Sequence, residues 1–173
     1  ALEFQILTAV RPGNALGARW TEFDRKASVW TIAGEHMKGD KEHKVPLSAA
    51  ALAVLDRMEK IKNGGEFVFC SPGSGRPLSD AATGAVLDRM GRDDIVPHGF
   101  RSTFRDWAAE RGYPDPVAEA ALAHTVSDAV IAAYKRTTFF ELRKKLMDDW
   151  ATFATSDPAR SADVVPFTVR AEA

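Results

Sequence analysis

Most of the chain carries apolar residues at helical spacing. The segment from roughly 139 to 154 predicts an amphipathic helix with one apolar face. That face is expected to consist of Phe140, Leu142, Leu146, Met147 and Trp150. An alanine- and leucine-rich segment predicts a second long helix that ends near Lys62, with Ser48 as its N-cap.

Shorter helices are predicted between and around these two. Pro12 is suited to the first turn of one of them, and Gly112 to the C-terminal end of another. The predicted ranges are 3–10, 12–20, 79–90 with Ser79 as cap, 98–112, 114–123, and a helix capped by Ser127 that carries Tyr134.

The region from 28 to 47 has the pattern of short strands instead. Residues 28–32, 35–37 and 43–47 predict three antiparallel strands, and a turn over 38–41 joins the last two. A further short apolar strand is predicted at 67–69. The elements together predict a mainly helical chain with a small sheet.

The composition is that of one globular domain. The chain has 173 residues, of which 45% are hydrophobic and 27% charged. No apolar run is long enough to cross a membrane, and no signal peptide opens the chain. Cys70 is the single cysteine, which excludes an intramolecular disulfide. We therefore expect a cytoplasmic protein.

The charge is close to balanced but unevenly distributed. The formal net charge is −1, which argues against strong binding to nucleic acid. Basic residues outnumber acidic ones over 98–145, and the reverse holds over 146–173. Charges are screened over about 8–10 Å at physiological salt, so a local basic face can still bind phosphate groups.

Six residues spread along the chain have side chains suited to phosphate chemistry. They are Arg11, Lys38, His98, Arg101, His124 and Tyr134. Two arginines, a lysine and two histidines can neutralise and protonate a pentavalent phosphate. A phenol can attack phosphorus and hold a phosphoryl group covalently.

His98 and Arg101 stand three residues apart at a predicted helix start. Both side chains therefore share one helix face. The unpaired N–H groups of the first turn also favour an anion.

Two longer motifs identify a family. His-Gly-Phe-Arg-Ser-Thr-Phe-Arg-Asp-Trp at 98–107 and Ala-Ala-Tyr-Lys-Arg at 132–136 resemble the tyrosine recombinases, also called phage integrases. Ala-Leu-Ala-His at 121–124 and Leu-Thr-Ala-Val-Arg at 7–11 are similar to further motifs of that family. The resemblance covers most of the chain.

The resemblance implies a fold and a reaction. The fold is an α+β domain, mainly helical, with a three-stranded antiparallel sheet. The reaction is site-specific DNA recombination, in which Tyr134 attacks a phosphodiester and forms a 3′-phosphotyrosine. Arg11 and Arg101 would bind the non-bridging oxygens, and His124 would hydrogen-bond the phosphate. His98 would relay the tyrosine proton, and Lys38 would protonate the leaving 5′-oxygen.

The resemblance also implies an organisation and partners. Residues 1–157 are expected to form the catalytic domain and 158–173 a C-terminal tail, without the core-binding domain that precedes it in the family. The expected partners are double-stranded DNA attachment sites and other protomers, with no membrane and no cofactor. The isolated domain is expected to be monomeric or weakly associating, and associated with the nucleoid when it is bound to DNA.

Some alternatives stay open at this point. Lys38 matches the family better than Lys41 or Lys44, but all three lie near the predicted turn. Asn14 stands where relatives commonly have an acidic residue, which leaves open a catalytically silent DNA-binding remnant. A phosphoesterase with His98 as the nucleophile is a third reading. The apolar segment 164–169 is expected to dock on a sheet or groove of its own or a neighbouring protomer.

Overall fold

The computed structural model of the chain describes residues 1–62, 64–71, 73–124 and 138–157. Within these residues, seven α-helices surround one small sheet. In chain order the elements are α1 (Leu2–Thr8), α2 (Pro12–Leu16), β1 (Phe23–Asp24), β2 (Val29–Ile32), β3 (His43–Pro46), α3 (Ala49–Lys60), α4 (Ala82–Arg89), α5 (Gly99–Glu110), α6 (Asp115–Ala121) and α7 (Phe140–Thr155). The predicted α+β class, mainly helical with a three-stranded antiparallel sheet, is confirmed.

Two predicted features fall on residues that are not described. These are the helix that carries Tyr134 and the segment 164–169. Both stay predictions.

The sheet has the strand order β1-β2-β3, and both pairings are antiparallel. Trp30 on β2 lies opposite Phe23 on one side and Val45 on the other, and its side chain is fully buried. The predicted strand at 35–37 is wrong, since the third strand is the two-residue β1. Residues 34–36 instead form a 3₁₀ turn, Gly34–His36.

A close backbone approach explains why no strand forms there. A Cβ atom placed on Gly34 would lie 2.8 Å from the carbonyl oxygen of Asp40. The N–H of Met37 donates to the carbonyl of Gly34 at 2.8 Å, and Met37 is 7% exposed. The β2–β3 connection therefore folds back on itself and is anchored in the core by one methionine. This loop carries Lys38.

The predicted strand at 67–69 is also wrong. Phe67 forms only an isolated bridge with Arg19, supported by a hydrogen bond from the N–H of Val68 to the carbonyl of Ala18 at 2.8 Å. The predicted helix 12–20 ends earlier, at Leu16.

The capping predictions have mixed outcomes. The Oγ of Ser48 accepts a hydrogen bond from the N–H of Ala51 at 3.3 Å, so Ser48 caps α3 as predicted. Ser79 does not cap α4, whose N-cap is Ala81.

The predicted apolar face of α7 is confirmed at three positions and wrong at one. Leu146, Met147 and Trp150 are buried, but Leu142 is 54% exposed. Arg143 takes the buried position instead, at the helical spacing that leads to Leu146 and Trp150.

Two groups of buried apolar side chains form the interior. The sheet core lies between α1, the sheet and α3, and contains Phe4, Trp30 and Leu55. The helical core lies between α5, α6 and α7, and contains Phe104 and Trp150. Within the described residues, no helix is both long and apolar enough to cross a bilayer.

Helix α1 lies between the two cores. Its two buried apolar residues, Phe4 and Leu7, belong to the sheet core, while its C-cap, Ala9, belongs to the helical core. The indole N–H of Trp150 donates to the carbonyl of Ile6 at 2.7 Å. Gln5 donates to the carbonyl of Pro97 at 2.6 Å, just before α5. These bonds fix α1 against α7 and against the start of α5.

We expect Leu146→Ala to lower the free energy of unfolding by about 2–5 kcal/mol, since Leu146 is fully buried and the truncation leaves a cavity. Leu142→Ala on the same helix is the matched control, with a change within about 0.5 kcal/mol because that side chain is half exposed. Urea unfolding measures both. Equal losses would contradict this orientation of α7.

Candidate active site

Five of the six residues selected from the sequence line one pocket. The pocket has a volume of about 540 Å³. Its lining consists of Arg11, Lys38, Gly39, His98, Arg101, Glu119, Ala123 and His124. These residues come from the start of α2, the β2–β3 loop, the start of α5 and the end of α6. Tyr134 lies outside the described residues, and the catalytic roles of all six remain predictions.

Arg101 is the most buried of the five, with 4% of its surface exposed. One Nη donates to the carbonyl oxygen of Ala9 and the other to that of Leu122, the latter at 2.7 Å. Its Nε is buried and has no hydrogen-bond partner among the described residues. The guanidinium is therefore held on one side by the backbone.

Both carbonyls belong to helix ends. Ala9 is the C-cap of α1 and Leu122 is the C-cap of α6. The last carbonyls of a helix have no partner within the helix and carry partial negative charge. Arg101 thus satisfies the carbonyls of two buried helix ends with one cation, which compensates in part for burying its charge.

The surroundings change the acidity of Arg101. Burial and the positive charge of Arg11 lower its pKa to about 10, and the negative charge of Glu119 only partly opposes them. Arg101 therefore remains a cation at neutral pH, at a site that favours the arrival of an anion.

Arg11 is the N-cap of α2, in extended conformation immediately before Pro12. Its side chain is half-buried, and no described carboxylate lies within ion-pair distance of it. The amide of Asn14 donates to the carbonyl of His36 at 2.9 Å. The side chain of Asn14 is thus bound to the β2–β3 connection rather than to the side chain of either arginine.

Lys38 is exposed at the tip of the β2–β3 loop and faces the pocket. Lys41 and Lys44 do not line it, and Lys44 lies 3.6 Å from the carboxylate of Glu42. The structure therefore brings Lys38, of the three candidates, to the other site residues.

His98 is the N-cap of α5 and is exposed. Its carbonyl accepts a hydrogen bond from the N–H of Arg101 at 3.1 Å, which closes the first turn of the helix. The side chains of His98 and Arg101 reach the same pocket, as their spacing predicted.

The chain turns back on α6 just after its C-cap, and this turn places His124 beside the last turn of that helix. Ala123 adopts the left-handed conformation with φ 51°. The N–H of His124 then bonds to the carbonyl of Glu119 at 3.0 Å, and that of Ala123 to Ala120 at 3.3 Å. This is a Schellman motif, which usually needs glycine at the left-handed position.

The His124 ring lies between a cation and an anion. Its Nδ1 is 2.8 Å from Oε2 of Glu119, and its Nε2 is 3.3 Å from an Nη of Arg101. The other carboxylate oxygen of Glu119 accepts from Nε of Arg105 at 2.5 Å. Glu119 was not selected from the sequence. A carboxylate five residues before the histidine, at the end of a helix, is the signal that could have indicated it.

A second residue that was not selected from the sequence is His43 on β3, whose pKa is shifted by burial and by nearby charges. Its side chain is 9% exposed and its Nε2 has no described partner. Burial is the largest cause that lowers the pKa of His43, to about 4. The charge of Arg143 contributes next, and Arg101 and Arg11 add to it. His43 is therefore neutral at pH 7.

Arg143 on α7 is the other buried base near the site. It is 3% exposed and donates to the carbonyl of Lys44 on β3 at 2.6 Å. Burial lowers the pKa of Arg143 to about 10. The bond covers the free edge of the sheet and joins α7 to the strand that ends the Lys38 loop.

Comparison with known proteins identifies the family. The chain matches the phage integrase family over residues 1–140. It is 41% identical over 150 residues to prophage integrase IntA of Escherichia coli strain K12, covering 86% of this chain and 36% of that protein. It is 31% identical over 173 residues to the integrase of Enterobacteria phage P4, covering 88% of this chain and 39% of that protein.

The chain therefore belongs to the phage integrase family, and the resemblance of its motifs is confirmed. It spans well under half the length of these two curated relatives.

Solved structures share the fold. The XerA recombinase superposes with a TM-score of 0.57 at 17% identity, over 82% of this chain and 55% of that one. The Tn1549 transposon integrase in complex with circular intermediate DNA gives 0.56 at 16%, over 84% and 55%. At such identities the likeness concerns the fold alone, which is that of tyrosine recombinase catalytic domains.

The lowered pKa of His43 predicts how the free energy of unfolding depends on pH. Unfolded, His43 binds a proton near pH 6.5, and folded only near pH 4. Between these values the unfolded chain binds more protons, so stability falls as the pH falls. From pH 7 to pH 5, wild type should lose about 2 kcal/mol more than His43→Gln, in which the group no longer titrates.

Urea unfolding of both proteins at the two pH values measures the difference. The other histidines are common to both and cancel. Parallel pH dependence of wild type and His43→Gln would show that His43 is not the buried neutral base described above.

Proposed function

We propose that this chain cleaves and rejoins DNA strands in site-specific recombination, of the kind that integrates or excises a prophage. The observation that carries the proposal is the pocket itself. Two arginines, a lysine and two histidines from four distant parts of a phage-integrase-family chain line one space of about 540 Å³. A phosphodiester in its pentavalent transition state needs such a set of donors around it.

Phosphate binding is assigned to the two arginines and His124. Arg11 has no described ion-pair partner to give up, so its guanidinium is available to the non-bridging oxygens. Arg101 is held by two helix-end carbonyls, and the Nη that donates to Leu122 also faces Nε2 of His124 at 3.3 Å. A phosphate oxygen that entered between these two side chains would accept from Arg101, and also from Nε2 of His124 when that nitrogen carries a proton.

Proton transfer is assigned to His98, Lys38 and Tyr134. The Tyr134 oxygen attacks phosphorus, its proton passes to His98, and a bond to phosphorus forms while the bond to the 5′-oxygen breaks. Lys38 gives the leaving 5′-oxygen its proton. The exposed positions of Lys38 and His98 allow both to reach a bound strand.

Rejoining is the reverse reaction. A 5′-hydroxyl attacks the 3′-phosphotyrosine, and Tyr134 leaves. Since the phosphodiester energy is kept in the covalent bond, the cycle needs no ATP.

Organisation and partners follow as part of the proposal. Residues 1–157 act as the catalytic domain and 158–173 as a tail, and a core-binding domain completes the grip on DNA. The partners are double-stranded attachment sites and further protomers, in the bacterial cytoplasm. With a net charge of −1, the affinity of this chain alone for DNA is modest. Family membership favours neither the silent remnant nor the His98 phosphoesterase.

Tyr134→Phe tests the nucleophile. The full-length gene product is incubated with nicked duplexes that carry candidate attachment sites, and covalent protein–DNA adducts are separated under denaturing conditions. Wild type should form a phosphotyrosyl adduct. Tyr134→Phe should form none while binding DNA almost unchanged, because only one hydroxyl is lost. The second tyrosine gives the control, since Tyr113→Phe should still form the adduct. Equal adducts with wild type and Tyr134→Phe would refute the assignment.

Arg11→Ala tests phosphate stabilisation. We expect adduct formation to slow by about 10²–10³-fold, the loss typical of one donor to a developing charge. The melting temperature should change little, because Arg11 has no ion pair in the described part of the chain. Arg25→Ala is the control. Arg25 pairs with Asp56 and Glu59 away from the pocket, so its removal should leave the rate unchanged. A rate unchanged by Arg11→Ala would exclude the phosphate contact.

A further inference from the structure

We infer that Glu119 is a positioning residue that holds the neutral His124 ring in a single tautomer, with the proton on Nδ1, so that Nε2 faces the phosphate pocket as the nitrogen that takes up a proton before it donates to a phosphate oxygen. The inference deepens the recombinase function proposed above and rests on it for its catalytic consequence. The positioning itself can be measured without catalysis.

The hydrogen bonds around the ring leave one consistent arrangement. The guanidinium of Arg101 can only donate, so Nε2 of His124 is the acceptor of the 3.3 Å contact. The proton then lies on Nδ1, which is 2.8 Å from Oε2 of Glu119. An ionised carboxylate can only accept, which fits this assignment.

Glu119 stays ionised in this place. Burial alone would raise its pKa, but the hydrogen bonds from Arg105 and His124 outweigh burial and lower it. A protonated Glu119 could donate to the ring and reverse the tautomer, and the two hydrogen bonds prevent this.

A backbone hydrogen bond and the side chain of Arg105 fix the position of the Glu119 carboxylate relative to His124. The Schellman motif bonds the N–H of His124 to the carbonyl of Glu119 at 3.0 Å, so backbone and side chain of the histidine meet the same residue. Arg105 takes Oε1 at 2.5 Å and leaves Oε2 to the ring. Arg105 is in turn 3.2 Å from Asp115.

Among the described residues that line the pocket, Glu119 is the single carboxylate. The side chain at position 14 is an amide, and it bonds to the carbonyl of His36 instead. Glu119 is therefore the group in this pocket that can fix the ring by accepting from Nδ1. Without it, the ring could rotate or exchange tautomers and present an N–H to Arg101.

The direct test is the nitrogen NMR spectrum of the His124 imidazole at alkaline pH. Wild type should show the Nδ1–H form. Glu119→Ala should show a mixture or mainly the common Nε2–H form, and Glu119→Gln, whose amide oxygen can still accept, should retain more of the Nδ1–H form. The Schellman bonds use only the backbone of Glu119, so we expect Glu119→Ala to fold, which circular dichroism checks.

Asp115→Asn is the matched control. It weakens the other ion pair of Arg105, the one with Asp115, and does not touch His124, so it should leave the tautomer and the rate unchanged. In the adduct assay, Glu119→Ala should slow the reaction by about 10–100-fold, the range known for partners that orient metal-bound histidines. In a His124→Ala background the same change should have no further effect.

Three results would overturn the inference. They are an unchanged tautomer in Glu119→Ala, an equal change in Asp115→Asn, or a further loss of rate from Glu119→Ala when His124 is already alanine. A wild-type protein that forms no adduct would count against recombination, while the NMR comparison would still decide the role of Glu119.

Discussion

The buried guanidinium of Arg101 determines how the rest of this domain fits together. It binds the carbonyl ends of α1 and α6, two helices that are far apart in the chain, and it does so from the first turn of a third helix. The cost of burying a cation is offset here by two partly negative helix ends, to which the charge of Glu119 adds. The same side chain therefore joins three helices and supplies a positive charge to the pocket. Removal of the Arg101 side chain would therefore lower the stability of the domain as well as the positive charge of the pocket.

The sequence was most informative where function and local structure follow the same pattern. His98 and Arg101 at a helix start, and Lys38 on a connection between strands, could be placed from spacing and motif. The caps and the amphipathic helices could be located to within a few residues. Short-range rules suffice for such features because the controlling contacts lie within a few residues of one another.

The features that could not be predicted depend on contacts between distant residues. The strand expected at 35–37 is a 3₁₀ turn because the backbone at Gly34 packs against Asp40. The role of Glu119 depends on an alanine in the left-handed conformation, for which sequence gives little signal, since glycine is the usual residue there. His43 looks like an ordinary polar residue of a strand. Its neutral state arises first from burial and then from the charge of Arg143, to which Arg101 and Arg11 add.

The pocket lies where the sheet core and the helical core meet. Arg11 and Lys38 are attached to segments anchored in the sheet core, while Arg101 and His124 are attached to the helical core. Each half of the donor set is thus attached to its own core. A rotation of one core against the other by a few degrees would change the spacing between the two halves and leave the packing inside each core intact. The alignment of the two halves of the donor set is therefore a property distinct from the packing inside either core.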